Sequence, residues 1–111
     1  MTSSRKYPPS VKEALKNEEN CYYCGKHLND DNFTIDHIIP IKQGGTDGES
    51  NLVACCKDCN TLKGNLTIPQ LVVELDKQLR FAKGNPVREA RIVYYKTIFN
   101  IAKNKMKQGQ S

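Results

Sequence analysis

The chain has no tryptophan, and aromatic residues fill only 7% of its 111 positions. With 38% hydrophobic residues overall, it can build one domain around a lean core, to which a structural metal would be a useful addition. No apolar run approaches the ~18 residues needed to span a bilayer, and the N-terminal stretch lacks an apolar signal region. A soluble, unsecreted protein is the expectation.

Acidic residues are nearly missing from one end. Residues 77–111 carry nine Lys/Arg against Glu89 alone, whereas residues 1–76 carry eight Lys/Arg against eleven Asp/Glu. The net charge of +5 is thus an acidic body joined to a strongly basic end. Such an end suits a polyanion, because each phosphate contact releases condensed counterions. Charge alone reads equally well as a solvated helix face with a basic tail.

What is there in unusual amount is cysteine. Five cysteines include two Cys-x-x-Cys pairs, Cys21/Cys24 and Cys56/Cys59. In an unsecreted chain this pattern points to metal before disulfides. Four thiolates close a tetrahedral zinc site with no open coordination position, which makes the site structural. Cys55 competes with Cys56 for the fourth place, but Cys56 keeps the two-residue spacing, and Val53 and Ala54 put Cys55 in an apolar slot. His27 reads as a surface or packing residue. Free buried cysteines and a redox pair are the alternative readings.

Between the pairs lie 31 residues, more than a usual zinc ribbon needs and enough for a hairpin. Phe33, Ile35 and Ile39 predict a first strand, a glycine-rich loop follows at residues 44–48, and Leu52-Val53-Ala54 predict a second. A short helix from about Cys56 to Gly64 comes next, with glycine as a left-handed stop. Before the hairpin, residues 1–9 read as a flexible arm, and Ser10 caps a helix to about Asn17 with Val11, Ala14 and Leu15 on one face. After it, Thr67 and Gln70 have capping-box spacing for a helix to about Lys83 with core residues Leu71, Val72, Leu75 and Leu79. Gly84, Asn85 and Pro86 separate it from a last helix expected to bury Val87, Ala90, Val93, Tyr94, Ile98 and Ile101, then to fray into a lysine tail. The division is an arm over 1–9, a core over 10–66 and a basic helical extension over 67–111.

Inside the cysteine frame sit Asp36, His37 and Asn60. Phosphodiester hydrolysis requires an activated water, charge relief at the phosphate and a stabilised leaving oxygen. An imidazole can meet the first need and a divalent cation the other two. Magnesium and manganese take oxygen ligands, and one carboxylate (Asp36) with one amide oxygen (Asn60) is enough. Adjacent residues on a strand point to opposite faces, so Asp36 and His37 serve one site only if the strand ends or bends there.

The stretches Cys21-Tyr22-Tyr23-Cys24-Gly25, Asp36-His37-Ile38-Ile39-Pro40, Gly44-Gly45-Thr46-Asp47, Asn51-Leu52-Val53 and Cys56-Lys57-Asp58-Cys59-Asn60-Thr61-Leu62-Lys63-Gly64-Asn65 follow in unbroken order. Residues 21–65 resemble the HNH endonuclease family. The resemblance implies a ββα-metal core; with the four-cysteine zinc site read from the cysteine spacing and the N-terminal helix and two C-terminal helices read from the residue pattern outside the matched stretch, the expected fold is α+β. It implies His37 as general base, Asp36 as metal-binding carboxylate, and Asn51 as the asparagine that braces the loop and orients the histidine. Asn60 falls where some members have histidine as second metal ligand. Lys63 falls where the family contacts a phosphate, and Lys57, Arg88 and Arg91 are expected to add nucleic-acid contacts.

The expected activity is metal-dependent DNA cleavage, by nicking or of both strands, leaving a 5′-phosphate and a 3′-hydroxyl. Cofactors would be Mg2+ or Mn2+ for catalysis and Zn2+ for structure. So short a nuclease resembles those of bacteriophages and their bacterial relatives, which implies a cytoplasmic monomer or homodimer acting on DNA, with packaging or other nucleic-acid-processing proteins as possible partners. A non-catalytic zinc-containing nucleic-acid-binding module is the alternative, and a thiol redox or metal sensor a third reading.

Overall fold

A computed structural model describes residues 9–109, with side chains as far as Met106. The elements run α1 (Pro9–Lys16), β1 (Phe33–His37), β2 (Leu52–Cys56), α2 (Lys57–Lys63), α3 (Ile68–Phe81) and α4 (Pro86–Gly109). The chain is α+β, and it divides into two compact units, one up to Leu62 and one from Lys63 onward.

In the first unit, β1 and β2 form an antiparallel pair in which Phe33 faces Cys56, Asp36 faces Val53 and His37 faces Leu52. All five residues of β2 are buried, while β1 is mostly half-buried. The sheet is therefore covered where β2 lies, and in β1 only Asp36 is fully buried, with half-buried His37 beside it. Tyr22 N–H donates to the Ala54 carbonyl at 2.9 Å, tying the segment that carries Cys21 and Cys24 to β2. The first helix starts at Pro9, a residue suited to a first turn, and buries none of its side chains fully. The rest of the arm expected over 1–9 lies outside the described residues.

Beyond β2 the short helix α2 ends at Lys63, and Gly64 follows at φ 54°, the left-handed conformation glycine adopts without a Cβ penalty.

The second unit is a pair of packed helices. Thr67 and Gln70 form the anticipated reciprocal cap on α3, whose Ile68, Leu71, Val72 and Leu75 are buried. At the start of α4, the Asn85 side chain accepts from Arg88 N–H at 3.2 Å. Lys96 on α4 pairs with Asp76 on α3 at 2.6 Å.

The face of α4 differs from expectation. Val87 is 81% exposed, Tyr94 51% and Ile101 58%, while Ile92, Phe99 and Ala102 are buried. Apolar residues occur nearly all round this helix, so two stripes of helical period compete. The bulk of Phe99, fully enclosed, goes with the second. The helix also continues through Lys103 and Lys105 to Gly109 instead of fraying there. Among the described residues, no helix is long and apolar enough to cross a membrane.

Candidate functional site

Cys21 and Cys24 sit on a tight turn closed by hydrogen bonds from Gly25 N–H to the Cys21 carbonyl (3.0 Å) and from Cys21 N–H to the Lys26 carbonyl (2.8 Å). This turn aims the N–H groups of Tyr23 and Cys24 at the Cys21 sulfur, 3.4 Å from each. Cys56 ends β2 and Cys59 lies in the first turn of α2, and there Cys59 N–H points at the Cys56 sulfur, again at 3.4 Å. N–H donors so placed favour thiolate over thiol.

The four sulfurs lie within 4.8 Å of one another, with Cys24 and Cys56 3.7 Å apart. A zinc ion with ligands at ~2.3 Å asks for sulfurs about 3.8 Å apart. The hydrogen bond between the Cys59 and Cys21 side chains lowers the Cys21 pKa to about 4 and raises that of Cys59, while burial pushes Cys24 up to about 11. Crowded, buried sulfurs resist ionising together, and a bound dication reverses that balance. This all-sulfur set fits a structural metal such as zinc.

Cys55 stays out of the cluster. It alternates to the other face of β2, where the Thr34 hydroxyl donates to its carbonyl at 2.8 Å and lies 3.3 Å from its sulfur. Burial pushes this thiol up to about 12, as befits an inert packing residue.

Asp36 and His37 are the last two residues of β1, and their side chains engage different partners. Asp36 is buried, and its Oδ2 accepts a 2.6 Å hydrogen bond from the Tyr23 hydroxyl. Burial and the neighbouring Asp36 charge raise the Tyr23 pKa, so the phenol remains a donor. Because Tyr23 lies between Cys21 and Cys24, the sulfur cluster and the carboxylate share one short segment. His37 is half-buried, and its Nε2 hydrogen-bonds Asp47 Oδ1 at 2.8 Å.

Asn51 holds the loop that joins the strands. Its Oδ1 accepts from Ile39 N–H at 2.8 Å, and its Nδ2 donates to the carbonyls of Ile39 (3.0 Å) and Thr46 (2.9 Å). Gly45 lies so close beneath Ile39 that a Cβ would fall 1.7 Å from the Ile39 carbonyl oxygen, and only glycine fits.

Asn60 is half-buried on α2, directly after Cys59. Lys57, Arg88 and Arg91 are exposed. Lys63 is not: it is fully enclosed, with 0% of its surface accessible. The phosphate contact expected of Lys63 would require this side chain to emerge from its enclosure. A charge is buried this deeply only with compensation.

Tyr23 and Asp47 were missed as site residues in the sequence. Tyr23 reads there as a spacer inside a metal-binding turn, and Asp47 as one more polar residue of a glycine-rich loop. The only signal for either was its presence inside the motif stretches.

The sequence pattern of the HNH endonuclease family matches residues 21–76, half of the chain. The protein belongs to the HNH endonuclease family. This HNH chain is 48% identical over 46 residues to the CRISPR-associated endonuclease Cas9 of Corynebacterium diphtheriae, a match covering 40% of the chain and 4% of that protein. Among solved structures, the Type II-C Cas9 enzyme from Actinomyces naeslundii matches 78% of the HNH chain and 11% of its own length, with 20% identity and a TM-score of 0.43. The HNH chain thus spans a small fraction of both much longer proteins.

Proposed function

We propose that this HNH protein is a DNA endonuclease that needs a divalent cation, with His37 as general base and Asp36 and Asn60 as ligands. The observation carrying this reading is the end of β1. There a buried carboxylate and a half-buried imidazole occupy consecutive positions, beside a loop held by Asn51, in a chain of endonuclease family. The relative from Corynebacterium diphtheriae is itself named an endonuclease.

Asp36 and Asn60 offer hard oxygen donors of the kind Mg2+ and Mn2+ prefer, so their chemistry fits either ion. Bound there, such a cation supplies charge relief at the phosphate and at the leaving oxygen. Tyr23 holds one oxygen of Asp36 and so fixes the rotation of the carboxylate. His37 takes the proton of a water in line with the scissile bond, and the products are a 5′-phosphate and a 3′-hydroxyl. Lys57, Arg88 and Arg91 are exposed cations suited to backbone phosphates.

The test is cleavage of supercoiled plasmid with Mg2+ or Mn2+, with EDTA, and by His37→Ala. Cleavage should need the cation and fall about 10²–10⁴-fold in the mutant, while DNA affinity stays near wild type. Equal turnover by His37→Ala would remove the base from the mechanism. A folded, zinc-loaded wild type that binds DNA without cutting it would instead indicate the non-catalytic binding module.

A further inference from the structure

We infer that Asp47 is the positioning residue of His37: its carboxylate fixes the imidazole as the Nε2–H tautomer and so makes Nδ1 the nitrogen that accepts the proton. The inference rests on the reading of His37 as general base. Its starting point is the 2.8 Å contact between His37 Nε2 and Asp47 Oδ1. A carboxylate offers only acceptors, so in the neutral ring the proton of this bond sits on Nε2 and the basic lone pair on Nδ1.

The placement of Asp47 is built into the loop. On one side of it, the Thr46 carbonyl accepts from Asn51 Nδ2 at 2.9 Å. On the other, the Gly48 carbonyl accepts from Asn51 N–H at 2.9 Å, and Gly48 N–H donates to the Thr46 hydroxyl at 3.2 Å. Asn51 thus grips both neighbours of Asp47. The same side chain grips Ile39 through N–H and carbonyl, two residues beyond His37. Ile38 N–H donates to the Asn51 carbonyl at 2.9 Å, which closes the strand end on the same residue. Gly45 adds a steric constraint, because its contact with Ile39 leaves no room for a side chain. One asparagine therefore ties together the backbone flanking both members of the pair, and Asp47 is the side chain through which that loop reaches the imidazole.

A carboxylate that merely decorated the loop would affect folding and nothing else. A positioning carboxylate sets how fast the bound substrate reacts, without changing how well it binds. Asp47→Ala is therefore expected to lower kcat by at least about tenfold, yet by less than the ~10²–10⁴-fold lost with the base itself, at unchanged KM. Zinc content and melting temperature check that the variant folds.

The deciding readout is the tautomer, read from the ring 15N shifts of His37 at about pH 8.5, where an ordinary imidazole is neutral. Wild type should show protonated Nε2 and unprotonated Nδ1, and Asp47→Ala should shift toward a mixture. An Nδ1–H tautomer in folded wild type overturns the inference, as does wild-type kcat in folded Asp47→Ala. Should wild type cut no DNA at all, the general-base reading falls, while the ring shifts still decide whether Asp47 sets the tautomer.

Discussion

On the proposed reading of Asp36 as a cation ligand, its carboxylate must be kept from turning away, and the 2.6 Å hydrogen bond from the Tyr23 hydroxyl would do this. The bond joins a buried donor to a buried acceptor, so removing the hydroxyl leaves Asp36 short of a partner that no solvent replaces. Tyr23→Phe keeps the ring and its edge-on contact with Tyr22. The expected outcome is a rise of about 10–100-fold in the Mg2+ or Mn2+ concentration needed for half-maximal cleavage, with bound zinc unchanged. Cleavage titrated against cation in both proteins measures it, and coincident curves would show that Asp36 needs no help from the phenol. Tyr23 and Asp47 share a pattern. Each is a side chain that acts on its neighbour, and neither neighbour lies close to it in sequence. Candidate ligands and bases can be named from a sequence because chemistry restricts them to a few residue types, whereas a positioning residue is defined by a contact that only folding creates.

At the scale of elements, the strand pair, the short helix after it and the capped α3 were legible, because each carries a local physical signal. Gly64 marks the end of α2, and Thr67 with Gln70 marks the start of α3. The fourth helix was legible as a helix but not in its orientation. Its apolar residues supply two stripes, and the choice belongs to what α3 presents, which no local pattern states. The burial of Lys63 was not legible for a related reason, since it is a property of the side chain's surroundings. The sulfur cluster is the element-level feature with most consequence, because it joins the turn carrying Tyr23 to the junction of β2 and α2. Structural zinc sites in small domains contribute folding free energy on the order of 10 kcal/mol, more than a lean core can spare. Cys59→Ser should therefore lose zinc and melt well below wild type, with cleavage lost through unfolding of the β2–α2 junction. Metal analysis and thermal denaturation check this. Cys55→Ser is the matched control and should keep its zinc, since Cys55 lies outside the cluster.

Over the whole molecule, chemistry and charge occupy different parts of the chain. The family match stops at Asp76, and Asp36, His37, Asn51 and Asn60 all precede it. Beyond it lie nine of the seventeen basic residues, with one acidic residue among them. In the first 76 residues, acids outnumber bases by eleven to eight, which works against a polyanion at long range. Affinity for DNA should therefore be supplied by the end that carries none of the proposed catalytic residues. Arg88 and Arg91, both exposed on α4, are the cations to remove. The measurement is duplex binding by His37→Ala, which leaves the substrate intact, as a function of salt concentration. Each phosphate contact contributes about 0.9 to the slope of log affinity against log salt. Replacing both arginines with glutamine in that background should reduce the slope by up to ~1.8 and weaken binding similarly for unrelated sequences. An unchanged slope would mean that α4 does not meet the phosphates, and that its basic charge and its exposed Val87, Tyr94 and Ile101 serve another surface.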